Sequence, residues 1–235
     1  MIAYGKNVVK ELLDNNQKIT KAYIYEKSID EKIVNAFKKR NVDIKFCSKK
    51  EMDNIAKGNH QGIIVNIPDY NFYSLKELME DANNDSLIVL LDHIEDPHNL
   101  GAIIRTCEAA GVRGIIITKN RSVNINSTVM KVSAGALSNM KVCSVTNISN
   151  TIRKLKDNGF WIVGTEMDAD HSYMDVDYDV PICLVIGNEG FGMSRIVKEG
   201  CDYTVSIPMV GKINSLNASV ATGIIVYGIL EKRRK

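Results

Sequence analysis

Residues 86–118 read SLIVLLDHIEDPHNLGAIIRTCEAAGVRGIIIT. An unbroken apolar run, then a proline-led segment with apolar residues at helical spacing, then a glycine-led isoleucine run spell strand, helix, strand. Neither strand alternates polar with apolar residues, which is how a parallel strand covered on both faces reads. The same type recurs at WIVGT (161–165), ICLVIG (182–187) and YTVSIP (203–208), and KVSAGAL, ISNTIRKLKDNG and the closing SLNASVATGIIVYGILEKRRK read as the intervening helices. The expectation is an α/β domain over 85–235 with a doubly wound parallel sheet. Such a sheet binds ligands in loops beyond the carboxyl ends of its strands.

Upstream, residues 1–66 predict a smaller α/β unit. Val8, Val9, Leu12 and Leu13 lie at helical spacing; KAYIYEK, VDIKFC and GIIVNI read as short strands, with DEKIVNAFKKRN and KKEMDNIAKG as helices between them. Pro68 stops the last strand, and the polar DANND at 81–85 precedes the apolar region, so a linker is expected over 67–84. The chain has 235 residues, 45% hydrophobic and 25% charged, which suits one large domain, or one large and one small, and argues against disorder. No apolar run approaches the ~18 residues of a membrane span, and MIAYGKNVVKELL lacks a signal-peptide core, so a cytoplasmic protein is expected. Five cysteines, odd in number and never in a CxxC pair, indicate reduced thiols. The four histidines have no zinc-site spacing, and no Ser stands in a GxSxG elbow, so neither a metal centre nor a hydrolase triad is expected.

Net charge is only +2, but residues 1–66 hold 13 Lys and Arg against 8 Asp and Glu. Two readings fit that excess equally: a nucleic-acid contact, or a solvated lysine-rich surface. The adjacent Lys38, Lys39 and Arg40 are its densest cluster.

Three strand-to-helix junctions hold most of the unusual residues. In Asp92–Arg105, Asn99 falls where a helix N-cap is needed, and Arg105 lies further along an otherwise apolar helix. Arg105 is either an anion clamp or a surface arginine on the outer face. In Leu184–Ser194, three glycines in six residues make a GxxGxG turn with open backbone N–H groups around Glu189, either a ligand cradle or a plain turn. In Val205–Ser219, Pro208 ends the strand, Ser215 and Asn217 stand before the last helix, and Ile207 and Met209 offer an apolar wall for a flat ring or ordinary core.

Together these junctions resemble the three motifs of the SpoU branch, also called the TrmH family, of the SPOUT RNA methyltransferases. PHNLGAIIRTCEAAGV is similar to the first motif, LVIGNEGFGMS to the second and VSIPMVGKINSLNASVATGI to the third, in family order. Residues 1–66, opening YGKNVVKELL, are similar to the L30e-like RNA-binding domain of the subgroup that methylates a guanosine ribose in large-subunit ribosomal RNA. The resemblance implies a trefoil knot in the C-terminal domain, which general topology rules would not suggest. It also implies S-adenosylmethionine as methyl donor, a ribose 2′-hydroxyl of RNA as acceptor, and a homodimer. By motif position Asn99, Arg105, Glu189, Ser215 and Asn217 would serve catalysis, with Asn99 and Glu189 orienting Arg105. Thr165, Gly187, Ile207, Met209 and Leu216 would hold the cofactor. Pairing of subunits would involve the apolar stripe Val220, Ile224, Tyr227 and Gly228 of the last helix. Transfer RNA as substrate, or a non-catalytic RNA-binding assembly factor, are the alternatives.

Overall fold

The computed structural model describes every residue except Asp170, Glu189, Asn214 and Lys235. The described chain divides into two compact units: Met1–Asn71 with Ile125–Ser138, and Phe72–Asn124 with Asn139–Lys235.

In the first unit, β1 (Ile2–Tyr4), α1 (Lys6–Asp14), β2 (Lys21–Tyr25), α2 (Glu31–Lys39), β3 (Asp43–Cys47), α3 (Lys49–Ile55) and β4 (Ile63–Asn66) follow one another. The sheet order is β1-β4-β2-β3; β4 is antiparallel to β1 and β2, and β2 is parallel to β3. Strand alternation sorts β4 onto two cores. Ile63 and Val65 join Val9, Ala22 and Phe37, while Ile64 joins Cys47, Met52 and Ala56 on the other face. Side chains start the second and third helices. Asp30 caps α2, and Ser48 with Glu51 forms a capping box at α3.

The expected boundaries shift. Ile67 belongs to the first core, whereas α4 (Leu75–Met79), capped by Ser74 and Glu77, buries Leu78 in the second, so residues 67–84 are mostly structure rather than linker. Residues 125–138, expected within the C-terminal domain, group with the first unit: α6 (Ser127–Ser133) buries Val129, and Met130 packs against the core that holds Val9 and Phe37. The Ser/Ala-rich segment has few apolar side chains, and it buries them where an apolar surface is available.

The second unit is a seven-stranded sheet in which every pairing is parallel. Its elements are β5 (Leu87–Leu91), α5 (Pro97–Ala109), β6 (Gly114–Thr118), β7 (Val142–Val145), α7 (Ile148–Asp157), β8 (Trp161–Thr165), β9 (His171–Ser172), β10 (Ile182–Ile186), α8 (Arg195–Gly200), β11 (Tyr203–Ser206) and α9 (Ala218–Arg233). The order β7-β6-β5-β10-β8-β11-β9 places β10 between β5 and β8. All five residues of β5, β6 and β10 are buried, as their unalternating sequences require. The short strands β7 (VCSV) and β9 (HS) were not legible as strands, being too brief and too polar to show a period.

The basic C-terminus is partly consumed by the fold. Arg233 donates to the carbonyls of Tyr178 (2.9 Å), Val180 (2.8 Å) and Asp85 (2.6 Å), and Lys232 donates to that of Val176 (2.8 Å). Arg233→Ala strands three carbonyls, and a cost of roughly 2 kcal/mol is expected. Thermal unfolding should therefore shift down by about 4–8 °C. Arg233→Lys should recover only part of the loss, because one ammonium cannot reproduce the guanidinium fork.

Candidate active site

Strand register builds the site. Leu91 pairs with Ile186, Val185 with Gly164, and Thr165 with Val205, so β5, β10, β8 and β11 end along one rim. All three sequence motifs leave the sheet at that rim. Insertion of β10 beside β5 brings the second loop against the first.

Asp92 fastens the two. It is 1% exposed; its Oδ2 accepts the backbone N–H of Ser194 (2.9 Å), and its Oδ1 lies 2.5 Å from Nδ1 of His93. Asn188 completes the fastening, donating from Nδ2 to the carbonyl of His93 (2.8 Å) and accepting at Oδ1 from the Gly190 N–H (2.8 Å). Asn188 and Gly192 exchange both backbone bonds at 2.9 Å, closing a tight loop. Neither Asp92 nor Asn188 stood out in the sequence, although an acid ending an all-apolar strand and an amide between glycines were both available signals.

Gly187 sits under this loop. A Cβ built there would lie 2.4 Å from the carbonyl carbon of Gly192 and 2.5 Å from the nitrogen of Met193, so only hydrogen fits. Glu189, the expected acid of the loop, lies outside the described residues.

Asn99 is not the helix cap. Pro97 occupies the first turn of α5, where its missing N–H costs nothing, and Asp96 before it caps the helix by accepting from the His98 N–H (2.9 Å). That bond, with the neighbouring His98 ring, holds the Asp96 carboxyl below its ordinary range. Asn99 therefore falls inside the helix, buried, and its Oδ1 accepts from Nδ2 of Asn217, 118 residues later (2.9 Å). Asn217 is the true cap of α9, its Oδ1 accepting from the N–H (2.9 Å) and hydroxyl (2.6 Å) of Ser219. One amide thus starts a helix and ties it to α5, the helix it packs against.

Arg105 is exposed on α5 and forms no hydrogen bond or ion pair among the described residues. Ser215 and Leu216 are exposed in the loop before α9, and Met209 is 40% exposed. Thr165 and Ile207 are half-buried at the ends of β8 and β11. On α9, Val220 and Tyr227 are half-exposed, but Gly228 departs from the expected stripe and lies against the ring of Tyr173.

The profile of the SpoU rRNA methylase family matches residues 86–227, the stretch containing all three loops. The chain belongs to the SpoU rRNA methylase family. A second profile, for the substrate-binding domain of RNA 2′-O ribose methyltransferases, matches residues 2–73. A Bacillus subtilis (strain 168) protein named as a TrmH family tRNA/rRNA methyltransferase is 39% identical, covering 97% of this chain and 94% of its own. One of that name from Staphylococcus haemolyticus is 40% identical, covering 100% and 97%. Among solved structures, an AdoMet-bound rRNA methyltransferase from Sinorhizobium meliloti is 26% identical with a TM-score of 0.78, covering 98% of this chain and 86% of its own. The SpoU methyltransferase AviRb from Streptomyces viridochromogenes shares the fold, with a TM-score of 0.81 at 22% identity over 100% and 90%.

This SpoU protein is an RNA methyltransferase, and the related rRNA methyltransferase from Sinorhizobium meliloti is AdoMet-bound, that is, it holds S-adenosylmethionine. The described residues fit that cofactor. The Gly187 turn closes on bare backbone, and Ile207, Met209 and Leu216 are apolar side chains suited to a flat purine. Burial pushes the Cys143 thiol up to about 11 and those of Cys107 and Cys201 to about 12, so these sulfurs stay protonated and are poor nucleophiles. Among the described residues no cluster of His, Cys, Asp or Glu could hold a metal ion, and no helix is long and apolar enough to cross a membrane.

Proposed function

We propose that the enzyme methylates a ribose 2′-hydroxyl, that of a guanosine, in large-subunit ribosomal RNA. The carrying observation is the pairing of the methylase match at 86–227 with a 2′-O-ribose substrate-binding match at 2–73. Coverage favours ribosomal over transfer RNA. The Aquifex aeolicus tRNA-modifying relative, 36% identical with a TM-score of 0.59, covers only 68% of this chain, whereas the rRNA methyltransferase covers 98%.

When bound, S-adenosylmethionine supplies an electrophilic methyl carbon on a sulfonium. The chain's own residues then have two tasks: to align the ribose oxygen with that carbon and to keep water out. Arg105 is free to do the first. A guanidinium carries hydrogen-bond donors and no acceptor, so it suits holding the neighbouring phosphate and stabilising negative charge on the attacking oxygen, rather than accepting the proton. Asn99 and Asn217, bonded to each other, tie α5, which carries Arg105, to α9. By motif position Glu189 is assigned with Asn99 to orienting Arg105, and Ser215 with Asn217 to substrate contact; Thr165, Gly187, Ile207, Met209 and Leu216 are assigned the cofactor. A knotted C-terminal region and a homodimer paired through the exposed side of α9 belong to the same reading, supported by the apolar Val220 and Tyr227 left half-exposed there.

The test is mass spectrometry of nuclease-digested ribosomal and transfer RNA from cells with and without the enzyme. A 2′-O-methylguanosine in large-subunit RNA that vanishes with the gene is expected. Loss of a transfer-RNA methylation instead would move the substrate, and a base methylation would overturn the ribose assignment.

A further inference from the structure

The first unit carries an open cleft of about 610 Å3, within the ~300–1,000 Å3 typical of ligand sites. Lys6, Lys49, Tyr25, Ser28, Asn59 and Gln61 line it: two cations, an aromatic ring, a hydroxyl and two amides, all from residues 6–62. Its rim is held in shape. Gln61 adopts a left-handed conformation (φ 51°) that few non-glycine residues take, beside Gly62 at φ 78° and across from Gly5 at φ 98°. The Gln61 Oε1 accepts the Lys6 N–H (2.9 Å), which supplies the cap that Gly5 cannot give α1.

His60 is the buried post of that rim. Its Nδ1 accepts the Gly62 N–H (3.0 Å), so its Nε2 carries the hydrogen and donates to Oδ1 of Asp53 (3.0 Å). Among the described lining residues Asp53 is the one carboxylate, and the imidazole engages it; Lys49 is exposed and Lys6 half-buried, and neither forms an ion pair among the described residues. By contrast, the Lys38, Lys39 and Arg40 cluster loses its arginine to the fold. The Arg40 Nη2 donates to the carbonyl of Leu13 (2.5 Å) and to Oδ1 of Asn16 (2.9 Å).

We propose that this cleft docks an unpaired nucleotide of the substrate RNA, with Lys6 and Lys49 on the flanking phosphates and Tyr25, Asn59 and Gln61 around the base. An aromatic ring can stack on a base only when that base is unstacked from its neighbours, which excludes the interior of a duplex. The proposal rests on the reading of RNA as substrate and adds where, and in what form, that RNA is held.

The test uses the full chain. Deleting residues 1–66 would uncover Val129 and Met130, which pack in the same unit, and would confound docking with stability. Anisotropy would measure binding of a fluorescent hairpin RNA with an unpaired loop, and of a fully paired duplex of equal length, against salt. For Lys6→Ala/Lys49→Ala we expect at least about tenfold weaker hairpin binding at moderate salt. Its log–log salt slope should be shallower by about 1.4, two single-strand phosphates at ~0.7 each. Duplex binding should change less than twofold, and S-adenosylmethionine affinity should be unchanged. Lys38→Ala/Lys39→Ala should bind the hairpin like wild type. Unchanged hairpin affinity and slope in the cleft variant, equal losses on hairpin and duplex, or the larger loss in the Lys38/Lys39 variant would each overturn the cleft assignment. A wild-type enzyme that binds S-adenosylmethionine but neither RNA would instead overturn the reading of the substrate.

Discussion

Arg105→Ala is expected to slow methyl transfer by at least ~100-fold, the usual loss when one donor to a developing oxyanion is removed. S-adenosylmethionine affinity and thermal stability should both stay near wild type. Stability should hold because the Arg105 side chain is exposed and bonded to nothing among the described residues, so truncation strands no partner. Affinity should hold because the loop proposed to hold the cofactor is fastened by Asp92 and Asn188, whose hydrogen bonds go to Ser194 and His93 rather than to Arg105. Single-turnover kinetics with saturating RNA, beside calorimetric titration of the cofactor, reads the two separately. Near-normal turnover would remove Arg105 from the mechanism. Arg233 is the contrast: its guanidinium is spent on three carbonyls, so its loss should appear in melting temperature.

Gly187→Ala should do the reverse, losing the cofactor first. The added methyl would sit 2.4 Å from the Gly192 carbonyl carbon, and both atoms belong to backbone that cannot rotate away as a side chain would. Opening that loop breaks the Asn188–Gly192 pair or pulls Ser194 from Asp92. Overpacking of this kind costs about 1–3 kcal/mol. A fall of at least ~10-fold in S-adenosylmethionine affinity is expected, since each ~1.4 kcal/mol of pocket distortion is tenfold in binding. Calorimetry on a variant shown to be folded checks it; wild-type affinity would mean that the loop does not shape the pocket. The clash falls on the protein's own turn, so a single methyl suffices and no branched side chain is needed.

The site was unevenly legible. Its three loops could be placed from the sequence because each follows an Ile/Val-rich strand and carries glycine, proline or amide residues in an otherwise apolar context. Assigning roles within them failed where the partner was remote. Asn99 has the chemistry of a cap, and only the bond to Asn217 shows it serving another helix. Asp92 looks like one more loop acid until Ser194, 102 residues on, donates to it. Arg40 and Arg233 count toward a positive surface in any tally of charge, yet their guanidinium groups are turned onto carbonyls of the chain.

Residue pattern alone determined the element types, the parallel character of the larger sheet and membership of the methyltransferase family. Each of these depends on local periodicity or on short motifs, which survive in one dimension. Tertiary structure alone decided that β10 enters between β5 and β8, that residues 125–138 join the first unit, and that a polar cleft opens beside Lys6 and Lys49. Strand order and core membership depend on which buried surfaces meet, and an Ile/Val-rich strand is equally suited to several neighbours. The choice among them lies in register, packing and loop closure summed over the whole chain.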